Sequence, residues 1–182
     1  MQEKKDVDVC EVFLKAFNES NGETLDLVVE HELHGITPEM IAWFFPHADE
    51  YYKLWHPEDH VGWRWVVPPT EGRRGGSIKI SVQKFGDLPV CELRMRIENP
   101  SETPFDKSTG AGWSSFLSPD DVPYGCATHV YKAAPYGTWM RSTFRWPAKT
   151  PQWLLDAVRR HNQEEMGELP KFVPELYKKD VG

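Results

Sequence analysis

The sequence predicts an α+β domain in which a curved antiparallel sheet grips one long C-terminal helix and leaves a cavity between them. Three observations point there. Runs of alternating apolar and polar residues recur between Glu23 and Trp146, glycine- and proline-rich breakers separate them, and the chain closes on an amphipathic stretch from Thr150 to about Tyr177. At 182 residues the chain suits one domain with a sizeable core, and it shows no internal repeat or convincing linker. The expected division is an N-terminal arm or short helix over residues 1–22 and a single cavity-bearing domain over residues 23–182.

Residues 1–20 are charged with scattered apolar positions, so a short helix and a loose arm both fit. From Glu23 to Leu33, the apolar residues Leu25, Leu27, Val29 and Leu33 alternate with polar ones, the mark of a strand. His31 falls in the same phase. The segment HELH, His31–His34, is one residue short of the zinc-protease spacing HExxH, and on a strand its two histidines face opposite ways. His31 is therefore read as a hydrogen-bonded core or pocket residue. Thr37 and Pro38 open a helix that carries Glu39 in its first turn, and Pro46 ends or kinks it. A second helical piece near Asp49–Trp55 brings Tyr51, Tyr52 and Trp55 together. After it, WHPEDHVGW supplies His56 and His60 before a strand through Trp65–Val67.

Gly72–Gly76 (GRRGG) reads as a hairpin tip, because it lacks the strand, helix and lysine of a phosphate loop. Four strands are expected next, at Ile78–Phe85, Val90–Ile97, Cys126–Lys132 and Thr138–Trp146. FGDLP, PSETPFDKSTGAG and APYG break them. In Val90–Ile97 the residues Glu92, Arg94 and Arg96 share one face, which reads as solvated. The last helix starts with Thr150 as cap and Pro151 in the first turn. Its buried stripe is Leu154, Val158, His161, Glu165, Leu169 and Phe172. A carboxylate carried toward a core must be paired, protonated or bound to a cation. His161 and Glu165, four residues apart, can close on one ion, or can form a simple hydrogen bond at the edge of the stripe.

Composition narrows the partners. Lys and Arg total 21 against 28 Asp and Glu, and the net charge of -7 argues against nucleic acid or an anionic membrane. Cys10, Cys91 and Cys126 are odd in number and lack CxxC spacing, which disfavours a disulfide framework and fits a reducing, cytoplasmic setting. No apolar run approaches the ~20 residues of a membrane span. Eight tryptophans and 13% aromatic residues favour a lined cavity, with Trp43, Trp55 and Trp139 as candidate walls.

The stretches YYKLWHPEDHVGW (Tyr51–Trp63), HVYKAAPYGTWMRSTFRW (His129–Trp146) and HNQEEMGELPKFVPELY (His161–Tyr177) together resemble the diacetylphloroglucinol hydrolase family. The first and last are the more specific, and the likeness covers most of the chain after about Gly35. It implies a Bet v 1-like helix-grip fold and a zinc-dependent hydrolase that cleaves the carbon-carbon bond joining an acyl group to a phenolic ring. The family holds its metal with two histidines and two carboxylates. Matched by motif, His60 is the first histidine, and His161 and Glu165 are the C-terminal pair. The remaining carboxylate falls on Gln83 in SVQKFG, an amide and a poorer zinc ligand; Glu92 is the substitute if the strand register is shifted. Two histidines and one carboxylate also accommodate iron(II).

The resemblance further implies that His129 and Tyr52 line the substrate pocket and that Phe144 stands where the family has a tyrosine. The chain is shorter than the best-known relatives, so dimerisation through their N-terminal helical region is not carried over, and a homodimer is left open. The expected reaction is metal-assisted hydrolysis of an aryl or vinylogous ketone with a small aromatic or polyketide-like skeleton. His129 would transfer a proton or polarise the carbonyl, and Tyr52 would orient the ring. Two alternatives stand beside it: a metal-dependent isomerase, cyclase or oxygenase acting on a small hydrophobic metabolite, and a non-catalytic small-molecule carrier.

Overall fold

A computed structural model of the protein describes residues 7–71, 73–102 and 110–182. Its elements run α1 (Val9–Glu19), β1 (Thr24–His34), α2 (Pro38–His47), α3 (Tyr52–Trp55), β2 (His60–Val67), β3 (Ile78–Gln83), β4 (Cys91–Ile97), β5 (Gly110–Leu117), β6 (Pro123–Ala134), β7 (Gly137–Pro147) and α4 (Gln152–Val181). The seven strands form one antiparallel sheet in the order β1-β7-β6-β5-β4-β3-β2, and α4 lies against it. This is the α+β helix-grip arrangement.

Of the N-terminal segment, Val9–Glu19 form a helix, and residues 1–6 lie outside the described residues. Asp8 caps α1 by accepting from the Cys10 and Glu11 N–H groups, and Val9, Phe13 and Ala16 are buried. Phe13 stacks on Trp146 with ring centroids 4.2 Å apart. Val9, Phe13 and Ala16 fall at i, i+4 and i+7, the helical period, which the charged residues between them had masked.

Strand β1 shows the expected alternation from Leu27 onward, with Leu27, Val29, His31 and Leu33 buried and their neighbours exposed. It pairs with β7 from Thr24 against Pro147 to His34 against Gly137. Gly137 has φ 140°, and a Cβ there would sit 2.4 Å from the Leu33 carbonyl oxygen, so only glycine closes this corner. Strand β5 was not expected. Gly110, Gly112, Ser114 and Ser115 blur its alternation, yet it is zipped to β6 from Gly110 to Leu117. Residues 103–109 of the breaker PSETPFDKSTGAG lie outside the described residues, as does Gly72 of the GRRGG turn. The last three residues of that breaker belong to β5.

Thr37 caps α2 as expected, accepting from the Met40 N–H at 3.4 Å. Thr150 does not cap α4. The N-cap is Pro151, which has no side chain able to accept, and the Thr150 hydroxyl is buried without a hydrogen-bond partner. α4 runs through Pro170 and Pro174, each lacking an N–H for the helix ladder. Leu169 and Val173, both fully buried, compensate by packing.

The core has two apolar clusters. One gathers Phe13, Leu93, Trp146, Leu154 and Val158. The other gathers Ile36, Ile41, Phe44, Met140, Met166, Leu169 and Val173. Along α4, Leu154 and Val158 serve the first cluster and Met166, Leu169 and Val173 the second; between them sit buried His161, Asn162 and Glu165. No helix among the described residues is long and apolar enough to cross a membrane.

Candidate metal centre

The polar band of α4 faces a cavity of about 660 Å³ between the helix, the inner face of the sheet and the α2–α3 region. The carbon framework of its wall comes from Phe45, Trp55, Phe144 and Trp146 among others. Of the tryptophans expected as walls only Trp55 lines it. Trp43 packs on His47 and donates to Asp180 at 2.8 Å, and Trp139 lies between Lys132 and Arg141 on the other face of β7. Trp139 shares the phase of exposed Arg141 and Arg145, whereas Trp146 shares that of buried Phe144.

His60, His161 and Glu165 meet at one end of this cavity, each buried, with one ligand atom apiece within 4.8 Å of the others. The hydrogen bonds fix which atoms face inward. His60 Nδ1 donates to the Tyr52 carbonyl at 2.8 Å, so its Nε2 carries a lone pair, 3.6 Å from Glu165 Oε2. His161 Nδ1 donates to Asp59 Oδ2 at 3.0 Å, so its Nε2 is the atom turned inward, 3.8 Å from the same oxygen. Burial, then the charges of His161 and His56, push the His60 pKa down to about 3, which keeps that ring neutral at neutral pH. Burial raises the Glu165 carboxyl pKa, against the pull of His161 and the Asn162 amide. Two ring nitrogens and a carboxylate oxygen thus converge on one point.

This donor set fits a divalent cation. Bonds of ~2.0–2.2 Å in a tetrahedral site put neighbouring ligand atoms roughly 3.3–3.6 Å apart, close to the separations found. The remaining ring nitrogens are anchored as metal-bound histidines require, one on a carbonyl and one on a carboxylate.

Asp59, which sequence reading passed over, is the orienting carboxylate. Burial alone would raise its pKa, but hydrogen bonds from His161 and the Gly86 N–H and the charges of His161 and His56 hold it down to about 2. Its position beside His60 in PEDH was the available signal, although nothing in that tetrapeptide aims it at His161. Together with His56, Asp59 and His161 form a second cluster of ligand type. Its atoms are already paired: the Asp59 N–H donates to His56 Nδ1 at 3.3 Å, which leaves the His56 proton on Nε2, 3.3 Å from Glu164.

Gln83 lies in the cavity wall, directly across from His60 in the β2–β3 register. Its side-chain oxygen is the acceptor of a triangle with the Tyr52 hydroxyl at 2.9 Å and the Ser81 hydroxyl at 2.8 Å, which also lie in hydrogen-bond contact with each other and share their two protons over the three contacts. Glu92, the substitute ligand, sits on the outer face of β4 in a two-pronged ion pair with Arg64 at 2.6 and 3.0 Å. The β3–β4 register pairs Glu92 with Val82, one position from Gln83, and one position reverses the face.

Tyr52 stacks on His60 with ring centroids 4.0 Å apart and planes within 2°. Burial raises its pKa, so the phenol stays protonated. His129 lines the cavity farther along β6, packed against Phe45 and Phe144. Burial first, and the neighbouring His31 second, push its pKa down to about 3. His31 is buried and hydrogen-bonded to Ser142 and Asn162, while His34 is exposed.

Solved structures share the fold at low identity. The crystal structure of Ara h 8.0201 superposes with a TM-score of 0.58 at 12% identity, covering 84% of this chain and 99% of that one. The solution structure of KanY protein gives 0.56 at 12%, covering 84% and 99%. Protein NE0264 from Nitrosomonas europaea gives 0.55 at 14%, covering 86% and 96%. These are Bet v 1-like proteins. A search of curated proteins finds no match. The family model described as DAPG hydrolase PhiG domain matches residues 18–152, and the chain belongs to that family of hydrolases.

Proposed function

We propose that the protein is a metal-dependent hydrolase that cleaves the carbon-carbon bond between an acyl group and a phenolic or polyketide-like ring. Membership of a hydrolase family supports it. The observation that carries it is the convergence of two imidazole nitrogens and a buried carboxylate on one point beside a cavity large enough for an aromatic ligand. His60, His161 and Glu165 would hold the ion, with zinc as the first choice and iron(II) as the alternative for two histidines and one carboxylate. A divalent ion there supplies a Lewis acid for a carbonyl oxygen and makes water more acidic. Gln83, its oxygen engaged by two hydroxyls, serves Tyr52 rather than the ion.

In the reaction, a water oxygen adds to the acyl carbon and the bond to the ring breaks. Its electron pair stays on the ring carbon, which takes a proton, and a free acid leaves. Neutral His129 is suited to polarising a carbonyl, because a group held at a pKa of about 3 carries no spare proton at neutral pH. The Tyr52 proton is committed among Gln83 and Ser81, so toward the ligand its oxygen accepts, as a phenolic substrate needs. Phe144 offers only carbon, favouring a less hydroxylated ring. Three free cysteines are in keeping with a cytoplasmic setting.

Metal analysis of the protein with His161→Ala and Glu165→Ala beside it tests the reading. The expected result is about one ion per chain in wild type and little in either variant. Acylphenols should then release a free acid. A metal-free wild type, or variants as active as wild type, would overturn it. Oxygen uptake without acid release would instead select the oxygenase alternative, which the His60, His161 and Glu165 set keeps open.

A further inference from the structure

One row of polar side chains runs through the protein interior from the candidate ion site to the far side of the cavity, and the proposed chemistry leaves its middle members unused. Glu165 Oε1 accepts from Asn162 Nδ2 at 2.8 Å. Asn162 Oδ1 lies 3.0 Å from His31 Nε2, which is also 3.2 Å from Ser142 Oγ. Ser142 Oγ lies 2.9 Å from His129 Nδ1. Asn162 and Ser142 are wholly inaccessible to solvent, and His31 nearly so.

The direction of every bond in this row follows from its carboxylate end. Asn162 gives its NH₂ group to Glu165 Oε1, so its amide oxygen is the atom turned to His31. That oxygen needs a donor, so the His31 proton is on Nε2. With Nε2–H facing both Asn162 and Ser142, Ser142 accepts from His31 and is left with its own hydroxyl proton to give. The acceptor in reach is His129 Nδ1. Its other nitrogen, Nε2, then carries the ring proton and has no partner among the described residues.

We infer that Asn162, His31 and Ser142 are positioning residues that fix the tautomer of His129, so that it presents an Nε2–H donor to an acceptor oxygen of the ligand. The inference rests on the proposed function, which makes the cavity lined by His129 the ligand site. It also specifies the ligand: the oxygen that meets His129 is a carbonyl or phenolate and not a hydroxyl that must donate.

The test is ¹⁵N NMR of the imidazole rings in the full chain loaded with Zn²⁺. His129 and His31 should each show a protonated Nε2 and a bare Nδ1. His31→Leu and Ser142→Ala should leave His129 a mixture of tautomers and weaken binding of 4-hydroxyacetophenone about tenfold. His31→Gln keeps an N–H near the Nε2 position and should stay within about twofold of wild type. A proton on His129 Nδ1 in wild type overturns the inference, as does a His129 spectrum that none of the three variants alters. Calorimetric titration with Zn²⁺ judges the ion site separately: no binding sinks that site whatever the histidines show, whereas binding with His129 in the other tautomer sinks only the positioning role.

Discussion

The two faces of the sheet treat carboxylates in opposite ways. On the outer face three meet a guanidinium, Asp26 with Arg145, Glu30 with Arg141 and Glu92 with Arg64, and in the turn after β5 Asp121 meets Arg94. On the inner face Glu165 meets two imidazole nitrogens and one amide, and no lysine or arginine among the described residues pairs with it. The outer pairs are solvated and screened, so each contributes little. The inner arrangement is costly unless a positive charge enters. A fold keeps such an unbalanced cluster where binding restores the balance.

The contrast can be tested in steps. The largest effect is expected from His161→Ala or Glu165→Ala: loss of the ion, and of acid release from an acylphenol by roughly a thousandfold. If metal content is unchanged, the inner cluster is an ordinary polar core. Asp59→Asn should keep the fold and weaken zinc about 10- to 100-fold in a competition titration, because an amide aims His161 less firmly than a carboxylate.

In the metal-free protein the sign reverses for Glu165. Its carboxyl pKa is raised by burial, so the folded state holds this proton more tightly than the unfolded one. Its contribution is present below the unfolded value and lost as pH rises through the folded one. Glu165→Gln should therefore raise the denaturant midpoint of the apoprotein at pH 8, by about 1–2 kcal/mol, while abolishing metal binding.

His129 runs the other way. Its folded pKa of about 3 lies below the unfolded value of about 6.5, so the stabilisation is full above the unfolded value and fades as pH falls toward 3. Between pH 7 and 5 the apoprotein should lose about 1–2 kcal/mol on this account, and His129→Gln should flatten the urea-midpoint profile by that share. The smallest effect belongs to the outer face: Arg145→Met should cost about 0.5 kcal/mol and leave zinc affinity unchanged.

Much of the frame was legible because it is periodic. β1 alternates inward and outward as written, and His31 falls on the inner face where its phase places it. The stripe of α4 emerges with His161 and Glu165 buried between Val158 and Leu169, although Phe172 is only partly buried and Val173 takes the fully buried place. Strand β5 was missed because glycines and serines carry almost no periodic signal, and its existence depends on a partner found far along the chain. Thr150 misled for a related reason: a capping residue type one position early caps nothing, and only the backbone path decides that position.

The sequence by itself determined the α+β class, the acidic charge balance, and the four-residue spacing of His161 and Glu165, since each is a matter of composition or of a local repeat. Only the tertiary structure decided that His60 faces that pair, that Asp59 holds His161, that Glu92 belongs to Arg64 and that Asn162 joins Glu165 to His31. Those contacts join residues brought together by strand register and by the seat of α4 on the sheet. A repeat of two or 3.6 residues says which way a side chain points, but not what it will find there.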